Sequence, residues 1–289
     1  RTHGTDAGMK VARASYLAGF AGTSNVLAGS RYGIPIVGTM AHSFIMSFER
    51  EIDAFRAYVA SFPNNAILLI DTYDTLAGAQ SAVEVAEEMA ARGEKLIGVR
   101  IDSGDLAAQA RAVRKVFDDA NLRQIKIIGS GGLDEFDLSE FSRADVPFDS
   151  YGVGTKMGMS ADAPWTDMSY KLVQYQDRPV LKLSTDKASW PGRKQVFRYR
   201  DSERKFCRDV IGRRAEELSG EKLLKEFMRD GTLLGRYPSL MEIRNVFAEA
   251  FDALPTNVKA IENPTLFPVE FSPKLNALRE QTTQELQRS

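Results

Sequence analysis

One repeating pattern between residues 32 and 156 constrains the fold of this 289-residue chain more than any other feature. A short apolar run, a glycine-rich or polar cluster and a segment of helical periodicity follow one another several times. The runs are continuously apolar rather than alternating, as expected of parallel strands that helices cover on both faces. They are GIPIVG, AILLID, KLIGVRID, IKIIGSGG and SYGVGT. The pattern predicts repeated βα units and therefore an α/β fold.

Four segments in the same region carry apolar residues at spacings of three and four, which predicts amphipathic helices. In one of them Leu106, Ala110, Val113 and Phe117 fall on a single helical face. The four predicted helices span residues 48–62, 78–92, 106–121 and 134–143.

Polar clusters directly follow the predicted strands, and their distribution favours a barrel. The clusters are GTMAHS, DTYDT, RIDSGD, GSGGLDE and GVGTKMG. A doubly wound sheet concentrates such clusters at one switch point, whereas a barrel gathers the ends of all its strands in a ring. We therefore expect a TIM-like α/β barrel over residues 1–185.

The sequence changes character after residue 185 and predicts a second, smaller domain over residues 186–289. Short polar strands come first, and charged helices are expected at 218–229, at 239–254 and at the C-terminus. We expect this segment to contribute to an α/β domain whose N-terminal part lies outside the sequence.

Charge and cysteine content exclude several classes of function. The 38 Lys and Arg residues balance 39 Asp and Glu, so no overall field attracts nucleic acid or an anionic membrane. A single cysteine, Cys207, excludes an internal disulfide and a multi-cysteine metal site. No run approaches the roughly 18 apolar residues of a membrane span, and no signal peptide is evident. We expect a soluble, cytoplasmic protein without nucleic-acid or membrane partners.

His42 is the first candidate for chemistry because it follows a predicted strand in the cluster GTMAHS. A histidine at the carboxyl end of a barrel strand can act as a general base, a metal ligand or a phosphoryl acceptor. A hydrogen-bonded structural histidine is the alternative, and the sequence alone leaves both open.

Four carboxylates and one arginine form the second group of candidates. Asp71 and Asp74 lie in DTYDT, and Asp102 and Asp105 lie in RIDSGD. Carboxylates suit Mg²⁺ and ribose hydroxyls, yet each could instead cap a helix, which is the role that the position of Asp105 favours. Arg100 ends an apolar run, where its charge needs a carboxylate such as Asp102 or Asp71, or a ligand anion.

Two glycine-rich loops follow consecutive predicted strands and are typical of phosphate-binding sites. Unobstructed backbone N–H groups at helix N-termini bind phosphate, although such glycines can also serve turns that need positive φ. The loop residues are Gly129, Ser130, Gly131 and Gly132, then Gly152, Gly154 and Thr155.

Taken in order, seven motifs closely resemble those of the nicotinate phosphoribosyltransferase family over nearly the whole chain. They are GTSNVLAG, GTMAHSF, DTYDT, RIDSGDL, GSGGLDE, GVGT and PGRKQVFR. The resemblance implies an irregular α/β barrel of the type II phosphoribosyltransferases with an α/β sandwich. It also implies formation of nicotinate mononucleotide and diphosphate from nicotinate and phosphoribosyl diphosphate, within NAD biosynthesis. The resemblance further implies coupled ATP hydrolysis through a phosphohistidine, a requirement for Mg²⁺ and a homodimer.

The resemblance assigns roles to individual residues. His42 matches the phosphohistidine, Thr39 a nicotinate contact, and Arg100 the arginine of the nicotinate and phosphoribosyl site. The aspartates match ribose-binding, Mg²⁺-binding and histidine-orienting carboxylates: Asp102 and Asp105 as catalytic, Asp71 as substrate-binding, and Asp102 with Asp71 as metal ligands. Ser130, Gly131, Gly132, Gly154 and Thr155 match the cradle of the ribose 5-phosphate.

The sequence departs from the family in lacking the N-terminal portion, which carries an aromatic residue that stacks on nicotinate in the partner subunit's site. We therefore expect that this chain by itself can be inactive, and that His3, at the join, is structural or close to phosphate. The alternatives are a nicotinamide or quinolinate phosphoribosyltransferase, or a non-catalytic barrel that binds a phosphorylated metabolite. The motifs GTMAHSF and DTYDT favour nicotinate.

Overall fold

A computed structural model describes residues 2–185 and 187–288, so Arg1, Asp186 and Ser289, at the ends of the two predicted domains, lie outside the described residues. Two units divide the chain: Arg1–Tyr16 with Phe20–Trp165, and Leu17–Gly19 with Thr166–Ser289. The expected domain boundary after residue 185 stays a prediction.

The elements up to residue 165 follow the predicted alternation of strands and helices. They are α1 (Thr5–Leu17), α2 (Val26–Tyr32), α3 (His42–Met46), α4 (Glu51–Ser61), β1 (Ile67–Leu69), α5 (Thr75–Ala91), β2 (Gly98–Ile101), α6 (Leu106–Asp119), β3 (Lys126–Ser130), α7 (Glu135–Arg143), β4 (Ser150–Gly152) and α8 (Thr155–Met159). The four predicted helices are confirmed as α4, α5, α6 and α7, and four of the five predicted strands are confirmed as β1 to β4.

The predicted strand GIPIVG is wrong as an extended element. Ile36 makes a single parallel bridge to Thr23, and the flanking carbonyl of Pro35 accepts a hydrogen bond from Thr23 N at 2.9 Å. Pro35 has no N–H to donate, which prevents a regular ladder at this point.

The four strands form one parallel sheet in the order β1-β2-β3-β4. Sequential order without reversal is typical of a barrel, whereas a doubly wound sheet reverses its order at a switch point. The α/β class is confirmed, and closure of the sheet into a barrel stays a prediction.

The helices pack one apolar face against this sheet. In α6 the four residues that the sequence places on one face, Leu106, Ala110, Val113 and Phe117, are all buried. They join a core that includes Leu68 of β1, Val99 and Ile101 of β2, and Ile127 of β3. Because β1, β2 and β3 pack within this core, the polar residues that follow these strands are held at a fixed edge of the sheet.

Aspartates start the helices that follow three of these strands. Asp74 Oδ1 accepts from Ala77 N at 2.8 Å to cap α5, and Asp105 Oδ1 accepts from Ala108 N at 3.0 Å to cap α6. Asp134 caps α7 in a reciprocal arrangement with Asp137. Each capped N-terminus therefore lies just beyond the carboxyl end of a strand.

The second unit is built around an antiparallel hairpin. Its elements are β5 (Gln174–Tyr175), β6 (Arg178–Pro179), β7 (Lys194–Arg200), β8 (Phe206–Arg213), β9 (Glu221–Lys222), β10 (Met228–Arg229), β11 (Thr232–Leu233), α9 (Leu240–Ala253), β12 (Val269–Phe271) and α10 (Pro273–Arg288). The larger sheet has the order β12-β8-β7-β9, and β12 pairs with β8 in parallel. In the described ranges of the chain, no helix combines the length and apolar character needed to cross a membrane.

The predicted helices at 239–254 and at the C-terminus are confirmed as α9 and α10, but the predicted helix at 218–229 is wrong. That segment contains β9 and β10 instead. Gln195 of β7 fixes it in extended form, because its side chain donates to Leu224 O at 2.9 Å and accepts from Leu224 N at 2.8 Å.

Candidate active site

Strand register brings three polar residues to one edge of the parallel sheet. Leu69 pairs with Arg100 and Ile101 pairs with Gly129, so the chain leaves the sheet at Asp71, Asp102 and Ser130 side by side. Parallel strands end at the same edge, which is where such folds place ligands.

Asp71 is the buried anchor of this edge. Its side chain is 2% exposed, and its Oδ2 accepts from Asp102 N at 2.9 Å and from Ser103 Oγ at 2.6 Å. Its Oδ1 is buried and has no hydrogen-bond partner within the described part of the chain. Asp71 therefore has a fixed orientation and one oxygen left for a ligand or cation.

His42 begins α3 and lies between a hydroxyl group and two carboxylates. Its Nδ1 is 3.1 Å from Thr72 Oγ1, and its Nε2 is 4.0 Å from Asp71 Oδ1 and 3.8 Å from Asp102 Oδ2. The side chain is 37% exposed, so a ligand can reach it. When Nδ1 donates to Thr72, Nε2 presents its lone pair beside the carboxylates.

Asp102 connects the histidine to the next strand and to Arg100. Ser130 Oγ donates to Asp102 Oδ1 at 2.5 Å, and Arg100 Nη2 lies 4.0 Å from the same oxygen. Arg100 Nε is buried without a hydrogen-bond partner among the residues described. The guanidinium is thus incompletely paired inside the protein, and an anionic ligand would supply what it lacks.

The two glycine-rich loops lie on adjacent strands, because Ser130 pairs with Gly152. Gly131 has φ +99°, and a Cβ at this position would collide with the carbonyl oxygen of Asp102. Gly132 has φ +70° and open space around it, while Gly154 and Thr155 start α8. The backbone of the first loop can approach Asp102 only because residue 131 is glycine.

Among the residues that the structure describes, no hydrogen bond or ion pair joins the remaining predicted residues to this network. Asp105 and Asp74 cap helices, as described above, and Thr39 Oγ1 donates to Met40 O at 3.2 Å. The catalytic role of Asp105 and the nicotinate contact of Thr39 stay predictions.

Glu51 is a residue of this region that the sequence did not reveal. Burial, together with the negative charges of Asp71 and Asp74, raises the pKa of its carboxyl group to about 7. Its Oε1 is buried and unpaired within the described ranges. Glu51 begins α4, where a glutamate is ordinarily solvated and interacts favourably with the helix dipole. No sequence pattern therefore distinguishes it from other glutamates at helix starts.

Thr72 and Ser103 were also missed, although both lie inside recognised motifs. Thr72 contacts His42, and Ser103 contacts Asp71. The motifs DTYDT and RIDSGD predict functional roles for their charged residues. The hydroxyl groups beside them have no sequence pattern of their own.

The site offers Mg²⁺ two carboxylates rather than a closed set of ligands. Across residues 2–185 and 187–288, no group of three or more His, Cys, Asp or Glu side chains could hold a metal ion. Protein sites for Mg²⁺ commonly use one or two carboxylates, with water and substrate phosphates completing the shell. The unpaired Asp71 Oδ1 and the neighbouring Asp102 Oδ2 fit that arrangement.

The fold and this edge define an α/β protein with a histidine–carboxylate site beside two glycine-rich loops. The profile of the Nicotinate phosphoribosyltransferase (NAPRTase) family matches residues 3–196, and that of the Nicotinate phosphoribosyltransferase C-terminal domain matches residues 213–279. The chain belongs to the nicotinate phosphoribosyltransferase family.

Individual relatives agree with this assignment. The chain is 43% identical to nicotinate phosphoribosyltransferase pncB2 of Mycobacterium tuberculosis over 95% of its own length and 59% of that protein. It is 32% identical to the nicotinate phosphoribosyltransferase of Bacillus subtilis, covering 94% of the chain and 61% of the relative. The chain therefore spans about three fifths of the length of these relatives.

Solved structures show the same fold. Human nicotinic acid phosphoribosyltransferase superposes with a TM-score of 0.85 at 26% identity, covering 97% of this chain and 68% of the human one. A nicotinate-nucleotide pyrophosphorylase from Pyrococcus furiosus gives a TM-score of 0.69 at 27% identity, covering 83% and 61%.

Proposed function

We propose that the protein is an ATP-coupled nicotinate phosphoribosyltransferase. The reaction joins nicotinate to phosphoribosyl diphosphate and releases nicotinate mononucleotide and diphosphate. One observation carries the proposal: His42 faces Asp71 and Asp102 at 4.0 and 3.8 Å, with Nδ1 hydrogen-bonded to Thr72. Family membership supports the pyridine substrate.

Arg100 and the glycine-rich loops are the proposed binding groups for the two substrates. The planar guanidinium can hold the carboxylate of nicotinate with two parallel hydrogen bonds, and its Nε has no other partner among the described residues. Backbone N–H groups after Ser130 and Gly154 would hold the 5-phosphate, since such groups at helix starts favour anions.

In the transfer step, the pyridine nitrogen forms a bond to C1 of the ribose while the C1–oxygen bond to diphosphate breaks. The electron pair of that bond leaves with diphosphate, and positive charge develops on the sugar. Asp102 is held by Ser130 at 2.5 Å and needs little reorganisation to stabilise this charge. When bound, Mg²⁺ would neutralise charge on the diphosphate leaving group.

ATP coupling would run through His42. The Nε2 lone pair attacks the terminal phosphorus of ATP, the bond to the bridging oxygen breaks, and ADP leaves with the electron pair. The resulting phosphoryl group would lie beside the carboxylates of Asp71 and Asp102. Like charges at that distance disfavour the phosphorylated state unless cations are bound, so phosphorylation would tighten the binding of substrate with its cation.

A homodimer and a cytoplasmic location complete the proposal. The homodimer rests on the family, in which the N-terminal portion serves the partner subunit's site. The cytoplasmic location rests on the single cysteine, which fits a reducing compartment. Because the chain spans about three fifths of its curated relatives, activity is proposed for the full-length protein.

Steady-state assays of the full-length protein with three pyridines test the proposal. We expect nicotinate to be converted to its mononucleotide with the highest kcat/KM, and ATP to stimulate the rate. A preference for nicotinamide or quinolinate would overturn the substrate assignment. Binding of phosphoribosyl diphosphate without formation of any mononucleotide would favour a phosphate-binding protein instead.

A further inference from the structure

Lys156 connects the two glycine-rich loops through a side-chain ion pair. Its Nζ lies 2.6 Å from Asp134 Oδ2 and 3.4 Å from Asp137 Oδ2. Both aspartates belong to the cap of α7, where Asp134 Oδ1 accepts from Phe136 N at 3.0 Å and Asp137 Oδ2 accepts from Asp134 N at 2.9 Å. The ammonium group therefore contacts the start of α7 from another element.

Each end of this ion pair lies just after one of the two glycine-rich loops. Asp134 follows Gly131 and Gly132, which come after β3, and Lys156 follows Gly154 and Thr155, which come after β4. Strands β3 and β4 are neighbours in the sheet, but they are paired only up to Gly152. Beyond that residue, the ion pair joins the second loop to the α7 cap.

We propose that Lys156 is a positioning residue that fixes the spacing of the two loops for a ribose 5-phosphate group. This inference rests on the proposed function, because it assigns a substrate group to the same loops. It adds a determinant of phosphate affinity that does not itself touch the phosphate.

Local conformational freedom explains why such a bridge is needed. Gly131 and Gly132 both have positive φ, and glycine loses more freedom on ordering than any other residue. Helix α8 is only five residues long and buries none of them, so packing alone restrains it weakly. Because the ion pair already orders the two loops, a phosphate can bind without the entropic cost of ordering them.

The pair stays charged over the working pH range of most proteins. The hydrogen bond from Lys156 lowers the pKa of Asp134 to about 2, and the same contact raises the pKa of Lys156. Its contribution should therefore be insensitive to pH between about 5 and 9.

Two substitutions break the bridge from opposite ends. Asp134→Asn keeps Oδ1 to cap α7 but replaces the acceptor for Lys156, and Lys156→Met removes the ammonium while keeping an unbranched stem. Lys156→Arg restores a cation. Lys115→Met is the matched control, because Lys115 pairs with Asp119 at 2.8 Å on the exposed face of α6.

The first readout is binding and turnover with phosphoribosyl diphosphate in the full-length protein. We expect Lys156→Met and Asp134→Asn each to raise Kd and KM by about fivefold, with kcat and the KM for nicotinate unchanged within about twofold. The double variant should be no worse than either single one, Lys156→Arg should recover most of the loss, and Lys115→Met should equal wild type. If Lys156→Met lost affinity for phosphoribosyl diphosphate while Asp134→Asn kept wild-type affinity, Lys156 would contact the phosphate directly. That result would overturn the positioning role.

The second readout needs no ligand and separates this inference from the proposed function. Amide hydrogen exchange at residues 131–133 and 154–156 should speed up in both bridge variants and stay unchanged in Lys115→Met. Unchanged exchange in the bridge variants would overturn the inference even if the enzyme is active. The bridge variants could also exchange faster while the wild-type protein binds no phosphoribosyl diphosphate. That result would support the ordering of the loops by the ion pair, but it would refute the proposed function and the binding of ribose 5-phosphate at these loops.

Discussion

At the residue scale, the orientation of His42 depends on one hydroxyl group. Thr72 Oγ1 is 3.1 Å from Nδ1, and this contact decides which ring nitrogen faces Asp71 and Asp102. Hydrogen-bond partners of this kind hold the ring orientation of functional histidines.

Replacing Thr72 should therefore damage ATP coupling more than pyridine transfer itself. We expect Thr72→Val to lower the stimulation by ATP by about tenfold, because loss of a partner that orients a functional histidine commonly costs that much. Thr72→Ser keeps the hydroxyl and serves as the control. The measurement is the rate of mononucleotide formation with and without ATP; full stimulation in the valine variant would refute the orienting role.

Arg100 carries the second prediction at this scale. Arg100→Lys should raise the KM for nicotinate about tenfold or more, because an ammonium group cannot reproduce the planar fork of donors. Saturation curves for nicotinate at fixed phosphoribosyl diphosphate measure this effect. An unchanged KM would show that Arg100 does not contact the pyridine substrate.

At the scale of elements, the close approach of the β3 loop to the β2 loop depends on Gly131. Gly131→Ala should destabilise the protein by about 2 kcal/mol or more, since it combines positive φ with a collision against the Asp102 carbonyl. Gly132→Ala, at φ +70° in open space, should cost only about 1 kcal/mol. Urea unfolding of both variants gives the comparison, and equal losses would contradict the close packing.

The sequence predicted elements well where one physical rule dominates. Continuous apolar runs predicted β1 to β4, and the spacing of Leu106, Ala110, Val113 and Phe117 predicted the buried face of α6. Prediction from apolar spacing failed where a different interaction determines the local structure. Pro35 interrupts the ladder at GIPIVG, and hydrogen bonds from Gln195, 29 residues away, keep the segment after residue 220 extended.

The sequence predicted His42, Asp71, Asp102 and Arg100 because each ends or follows an apolar run, and Ser130 because it lies in a glycine-rich cluster. Other contacts that orient these side chains come from Thr72 and Ser103, which have no pattern of their own. Glu51 depends wholly on tertiary structure, since the fold alone brings it near Asp71.

At the scale of the whole molecule, the carboxyl group of Glu51 links stability to pH. Its folded pKa of about 7 lies above the ordinary value of 4.5, so the folded state holds a proton that the unfolded state has lost between these values. Stability contributed by this group is therefore present below about pH 4.5, falls as pH rises to about 7, and stays lost above it.

The neutral variant Glu51→Gln should remove this loss. We expect it to be more stable than wild type at pH 8 by about 1 kcal/mol, a value reduced for the partial exposure of the group, and to match wild type at pH 5. Urea unfolding at the two pH values measures the difference, with Glu87→Gln on the exposed side of α5 as the control. A constant difference at both pH values would contradict the buried protonated carboxyl.

The proposed phosphohistidine is tested by mapping phosphate on the full-length protein after incubation with ATP and Mg²⁺. Handling must preserve acid-labile phosphohistidine, and His42→Ala provides the control. We expect one phosphate on His42 in wild type, none in the variant, and loss of the phosphate when nicotinate and phosphoribosyl diphosphate are added. A wild-type protein that turns over nicotinate yet never carries phosphate on His42 would refute the phosphohistidine mechanism.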